Sequence, residues 1–222
     1  MKLVYTLEDI SDGNLYDIDD VVLAGTAGCE ACSTCCHDVE ALVVLTPYDV
    51  SALSMGLNKS FKELLASHLV LREDNKVLLP HLKMVGEDRR CTFLSEEGRC
   101  TVHSFRPNIC RLFPLGRVYA DADFKYFLQV EACVKNELYE VVVDEWLGIE
   151  NYAENKAFLL DWYKILKALS FRFKFVYDLE EKKHMDQYLL SLFYALTLDK
   201  QHDFYEAFQK AIPLAKDKLG IL

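Results

Sequence analysis

Four of the chain's eight cysteines, Cys29, Cys32, Cys35 and Cys36, fall within eight consecutive residues. Thiols spaced by two residues turn toward one centre, because so short a loop brings each sulfur within bonding distance of a single ion or cluster corner. Cys36 stands apart, since neighbouring side chains point away from each other in an extended segment and diverge by about 100° around a helix. Cys35 and Cys36 are therefore not expected to ligate one ion, and one thiolate is left for a second centre or for chemistry.

The remaining cysteines are Cys91, Cys100, Cys110 and Cys133. Eight is the number that completes two four-thiolate sites. A disulfide framework is not expected, because the chain reads as cytoplasmic, where thiols are kept reduced. Its first ten residues turn acidic before any apolar run long enough for a signal peptide, and no stretch of 18 apolar residues follows. A net charge of -10 argues against nucleic acid and against an anionic membrane surface, both of which bind clustered Lys and Arg. With 51% hydrophobic and 27% charged residues, the 222-residue chain has globular composition.

Along the chain, residues 1–28 read as a loosely structured approach. The glycines Gly25 and Gly28 lack the spacing of a phosphate loop and lead straight into the cysteines. Val39 to Leu45 is short and rich in β-branched residues, as in a buried strand. Thr46, Pro47 and Asp49 predict a helix start, with Val50, Leu53 and Leu57 on its core face and Gly56 ending it. Ser60 and Glu63 have capping-box spacing for a second short helix through His68.

Hairpins are predicted over Leu69–Leu79, turning at Glu73 to Lys76, and over Leu115–Val130, turning near Asp121 and Asp123 and delivering Cys133. Between them the segment from Cys91 to Cys110 is rich in turns. Past Cys133 there are no cysteines. Phe158, Trp162, Ile165 and Leu169 predict a helix over 152–170, and Phe171 to Tyr177 alternates like a strand. Met185 to Leu196 predicts a second helix, and Phe204 to Ile212 a third that Pro213 interrupts.

These patterns give an α+β fold. An irregular, metal-stapled cysteine-cluster domain of short strands and helices covers residues 1–148, and a mainly helical extension over 149–222 packs on it. Four thiols in eight residues do not suit the bland reading of buried small hydrophobes, whereas a metal turns each into a ligand and its binding free energy into folding free energy. Structural zinc draws paired arms from two places; three thiols at this spacing, with a remote partner, lean slightly toward an iron–sulfur cluster.

Arg89, Arg90, Arg99, Arg106, Arg111 and Arg117 all fall in or close to the second cysteine segment. Arg106 and Arg111, beside Pro107 and Cys110, are candidates to offset an anionic thiolate centre and to bind its sulfurs, whereas Arg89 and Arg90 also fit a solvated surface. His37 and His103 are the histidines next to thiols and the secondary ligand candidates. No Ser-His-Asp order, nucleophile elbow or HExxH pattern is present.

The chain resembles the YkgJ-type cysteine-cluster proteins. The likeness is carried by the CxxCxxCC motif at Cys29–Cys36, by Thr46 to Asp49, by Cys91 to Leu94 with Gly98 to Cys100, and by Phe105 to Pro107 with Cys110 to Pro114. The resemblance implies a zinc- or iron-chelating domain whose eight ligand cysteines are Cys29, Cys32, Cys35, Cys36, Cys91, Cys100, Cys110 and Cys133. It also implies kinship with flagellin lysine N-methylases, which use S-adenosylmethionine, although the chain has no methyl-donor glycine loop. Two other functions follow as rivals to a metal-cluster protein. One is an enzyme acting on a protein substrate, and the other is a zinc-stapled module whose helical tail docks a protein partner.

Overall fold

The computed structural model describes residues 6–26, 32–39, 43–120, 122–134, 138–195 and 203–221. A short helix α1 (Leu7–Ile10) and strand β1 (Val21–Gly25) open the chain. Helices α2 (Pro47–Leu57) and α3 (Phe61–Ser67) follow, then strands β2 (Leu69–Asp74), β3 (Val77–Leu82), β4 (Met84–Val85) and β5 (Arg90–Cys91). Helix α4 (Asn108–Leu112) precedes strands β6 (Leu115–Tyr119), β7 (Phe124–Leu128) and β8 (Tyr139–Val142), and helix α5 (Val143–Leu147). The chain finishes in α6 (Tyr152–Arg172), α7 (Leu179–Phe193) and α8 (Phe204–Leu219). The strands pair as four antiparallel ribbons, β1–β8, β2–β3, β4–β5 and β6–β7. The architecture is α+β with a helical C-terminal region.

Both expected capping boxes form. In α2 the Thr46 hydroxyl accepts from the Asp49 amide at 3.2 Å while the Asp49 carboxylate accepts from the Thr46 amide and hydroxyl, each at 2.8 Å. Ser60 and Glu63 repeat the arrangement at the start of α3. The helix α2 runs past Gly56 and ends at Asn58, which takes the left-handed conformation at φ 52°. Gly56 has a different use, because a Cβ there would sit 2.5 Å from the Phe105 ring. Its absence lets the loop before α4 lie against the helix.

The hairpin β2–β3 turns at Asn75 and Lys76, both at positive φ, as a two-residue hairpin requires. The β6–β7 hairpin also forms as expected, although Asp121 at its turn lies outside the described residues.

Four expectations are corrected. Residues 1–28 are not a loose approach where they are described: Val22 and Ala24 are buried and β1 pairs with β8, Val21 opposite Val142. No strand forms over the described part of Val39–Leu45, of which 40–42 lie outside the described residues. The Val43 amide instead donates to the Val39 carbonyl at 3.0 Å, and a single bridge joins Val44 to His81 before Pro47 starts α2. The alternation at Phe171 to Tyr177 is a helix ending: α6 runs to Arg172, burying Phe173 and exposing Phe171 and Phe175. Pro213 does not interrupt α8, since Phe204 and Phe208 before it and Ala215 and Leu219 after it are all buried. That continuous apolar stripe outweighs a proline cost of about 3 kcal/mol.

One buried cluster joins the two parts of the chain, holding Val22, Leu45 and Leu115 together with Phe158, Leu189 and Phe208. The helices α6 and α7 pack on β3, and the buried Tyr194 hydroxyl donates to the Leu45 carbonyl at 2.9 Å. Among the described residues no helix is long and apolar enough to cross a membrane.

Candidate metal centre

Short segments from distant parts of the chain bring the thiols to one place. A 3-10 turn (Thr34–Cys36) carries Cys35 and Cys36. It is tied to β5 by a bridge between His37 and Arg90, by the Asp38 amide donating to the Arg89 carbonyl at 3.1 Å, and by an Arg89–Asp38 ion pair at 2.6 Å. Cys91 ends β5. Cys100 is held opposite Leu94 by another bridge, in a turn closed by Gly98 at φ 72°.

Helix α4 presents Cys110. It is only five residues long and has no side-chain cap of its own. The Asp49 carboxylate supplies the missing acceptor from α2, taking the Asn108 amide at 2.8 Å. Asp49 is thus a node where three donors meet. Burial raises its pKa, with the Asn108 and Thr46 hydrogen bonds and the Arg117 charge opposing.

Cys32, Cys35, Cys36, Cys91, Cys100 and Cys110 line one cavity of about 830 Å³. A smaller pocket of about 30 Å³, beside Trp146, is lined by Cys32, Cys35 and Cys133. Cys29 lies outside the described residues. None of the described cysteines forms a disulfide.

Cys35 and Cys36 do not diverge as expected. Their thiols are hydrogen-bonded to each other, because both side chains turn from the 3-10 turn into the same cavity. The bond from Cys36 pulls the Cys35 thiol down to about 7; burial resists this, and the charges of Arg106 and His37 assist. Cys36 is pushed up by that same bond, by burial and by the nearby Cys91 and Cys100. Cys110 is raised by burial and then by Cys91, Asp49 and Cys100; Cys91 is raised by burial and by Cys100 and Cys35.

Among the described residues no three His, Cys, Asp or Glu side chains stand as a group able to hold one ion. The donor set nevertheless fits a thiophilic metal. Cys36, Cys91 and Cys110, raised by burial and by neighbouring thiols, are poor anions by themselves, and a cation among them would offset that repulsion and favour each thiolate.

The basic side chains divide. Arg106 lines the cavity, and its Nη1 donates to His103 Nε2 at 2.7 Å. Arg111 does not reach it: its guanidinium donates to the carbonyls of Leu147 and Gly148 at 3.4 Å and of Ser104 at 3.3 Å, pinning α4 to the end of α5. His103 is on the cavity wall, its pKa lowered by burial and then by Arg106 and Arg111. His37 is turned away, with Nδ1 on the Ser33 carbonyl at 2.9 Å and Nε2 3.9 Å from Asp88.

Sequence reasoning missed the β6–β7 wall, where Phe127 lies over Gly116, and the fastening role of Asp49. The only signal for the first was a glycine opposite an aromatic in a predicted hairpin.

Convergent thiols on turns, held by a small α+β scaffold, define a metal-binding cysteine-cluster protein. Residues 28–134 match the CxxCxxCC family, described as "Putative zinc- or iron-chelating domain". Neither a curated protein nor a solved structure matches the chain.

Proposed function

We propose that this is a cytoplasmic metal-cluster protein whose eight thiolates hold two centres, at least one of them an iron–sulfur cluster, with zinc as the alternative. The observation that carries the reading is the gathering of six thiols on one cavity wall while Cys133 faces a separate small pocket. Cys36, Cys91, Cys100 and Cys110 would serve the first centre. Cys32, Cys35 and Cys133 would serve the second, with Cys29 completing its set. An iron–sulfur cluster supplies one-electron chemistry, and zinc a redox-silent staple.

The chain's own residues prepare the site. Asp49 and Arg111 fix α4 and hence Cys110. The β5 contacts of Asp38 fix the 3-10 turn, and the Arg106 charge favours thiolate at Cys35. A protein partner or protein substrate, with no nucleic acid, fits the net charge of -10. The resemblance to flagellin lysine N-methylases makes methyl transfer to a protein side chain the rival, and heat on adding S-adenosylmethionine in calorimetry would favour it.

Anaerobic purification tests the proposal. Absorbance at about 400 nm with acid-labile sulfide is expected for the cluster, and zinc alone would remove the redox reading. Cys110→Ser and Cys133→Ser should each lose part of the metal, and together nearly all. Unchanged metal content in Cys110→Ser would refute the assignment.

A further inference from the structure

We infer that the cavity beside the thiols binds a small organic anion, its carboxylate or phosphate held between Arg106 and Arg117 and its apolar body against Phe113, Leu115 and Phe127. The inference takes the thiol wall from the metal reading and adds an occupant for the rest of the space.

Size comes first. The cavity is about 830 Å³. Pockets for organic ligands run from about 300 to 1,000 Å³, and metal–sulfur bonds of about 2.3 Å confine an ion or a cluster to the side of the space where the thiols lie. The wall contributed by β6 and β7 has no sulfur: it is Leu115, Gly116, Arg117 and Phe127. Apolar surface with a few placed cations is the lining an amphiphilic anion requires.

The state of the two arginines decides the charge of the ligand. Arg106 has His103 Nε2 as its hydrogen-bond partner, at 2.7 Å. Arg117 donates at 3.4 Å to the Tyr119 hydroxyl, and its guanidinium carbon lies 4.7 Å from the Phe124 ring centre and 5.6 Å from that of Tyr126. In both, Nε is shut off from water with no acceptor. Among the described residues neither has an acidic side chain at ion-pair distance.

Other arginines of the segment are satisfied: Arg111 by three carbonyls and Arg89 by Asp38. Asp49 is close enough for its charge to be felt at Arg117, but its oxygens already accept from Asn108 and Thr46. A guanidinium offers five donors in a fork that matches carboxylate and phosphate oxygens, so two such groups on one cavity, each with a buried Nε that has no acceptor, call for an anion.

The rival is that both arginines only offset the charge of the metal–thiolate centre. Calorimetry on the metal-loaded full chain separates the two, using phenyl phosphate and benzoate as anionic probes and benzamide as a neutral match. At least one anion should bind with one-to-one stoichiometry, and benzamide at least about tenfold more weakly. The better anion identifies the headgroup. Arg117→Gln should weaken its binding by about tenfold while metal content stays at the wild-type level, and Arg106→Gln should weaken it by about tenfold as well.

Equal binding of anions and benzamide, no binding of either anion, or unchanged affinity in Arg117→Gln would overturn the inference. So would loss of metal in Arg117→Gln, which would assign that side chain to the thiolate centre. Iron and zinc assays on the same samples judge the metal reading separately. A metal-free protein that still bound phenyl phosphate through Arg117 would sink that reading and sustain this one.

Discussion

Replacing Asp49 by alanine probes the joint on which the placement of Cys110 depends. The carboxylate accepts three hydrogen bonds at 2.8 Å, from the Asn108 amide and from the Thr46 amide and hydroxyl. Hydrogen bonds to a charged group are worth about 1.5–3 kcal/mol each, and removing the acceptor strands buried donors. Against that, alanine relieves the burial of a carboxylate, which several kcal/mol of desolvation oppose. The net loss should be about 3–5 kcal/mol, at the upper end for a single substitution.

Glu63 supplies the internal control. It closes the same capping box on α3 but is fully exposed, so Glu63→Ala should cost far less. Urea unfolding followed by the fluorescence of Trp146 and Trp162 measures both, and metal content should fall only in Asp49→Ala. The sign with pH is fixed as well. Burial raises the Asp49 pKa, so its contribution is fullest at acidic pH and declines as pH rises through the folded value. Unfolding curves for the two variants that coincide would refute the claim that Asp49 fastens α4 to α2.

Three further outcomes are expected. In Gly116→Ala the new Cβ would stand 2.1 Å from the Phe127 ring, which must leave its place on the cavity wall; urea unfolding should show a loss of about 1–3 kcal/mol. In Tyr194→Phe the Leu45 carbonyl loses its buried donor, and the same assay should show a loss of about 1 kcal/mol.

Lys182 bonds Asp186 and Glu73, each at 3.0 Å. Burial works against its charge, but the hydrogen bonds to Asp186 and Glu73 outweigh it and raise its pKa above 10.5. Lys182→Met should therefore cost about 1–2 kcal/mol at neutral pH, because the mostly buried Asp186 is left without its cation. Melting temperatures of wild type and variant should converge only as pH climbs through that raised pKa, and a constant gap at high pH would contradict the pairing.

Much of the scaffold was legible because it is written locally. Thr46 with Asp49 and Ser60 with Glu63 specify helix starts through contacts three residues apart, and the two hairpins fold back on adjacent residues. The β1–β8 pair was hidden because a strand's partner carries no mark of its identity, and Val21 finds Val142 across most of the chain. Phe171, Phe173 and Phe175 show the opposite trap, a strand-like alternation produced by a helix ending. At the site, thiol spacing marked segments that line the cavity. It did not say that Arg111 would turn to backbone carbonyls while Arg106 stayed on the cavity. That choice depends on where α5 lies, which no local pattern encodes.

The wide separation of the thiol-bearing segments has a consequence for how the protein is made. Cys133 follows Cys36 by 97 residues. At about 5–20 residues per second of synthesis, the leading thiols wait about 5–20 s on the ribosome before the last one is added. Throughout that interval the nascent chain offers an oxidisable, metal-hungry loop with no cavity around it. Alkylation by a brief pulse of thiol reagent during translation should therefore fall mainly on Cys35 and its neighbours, and a released chain should escape it.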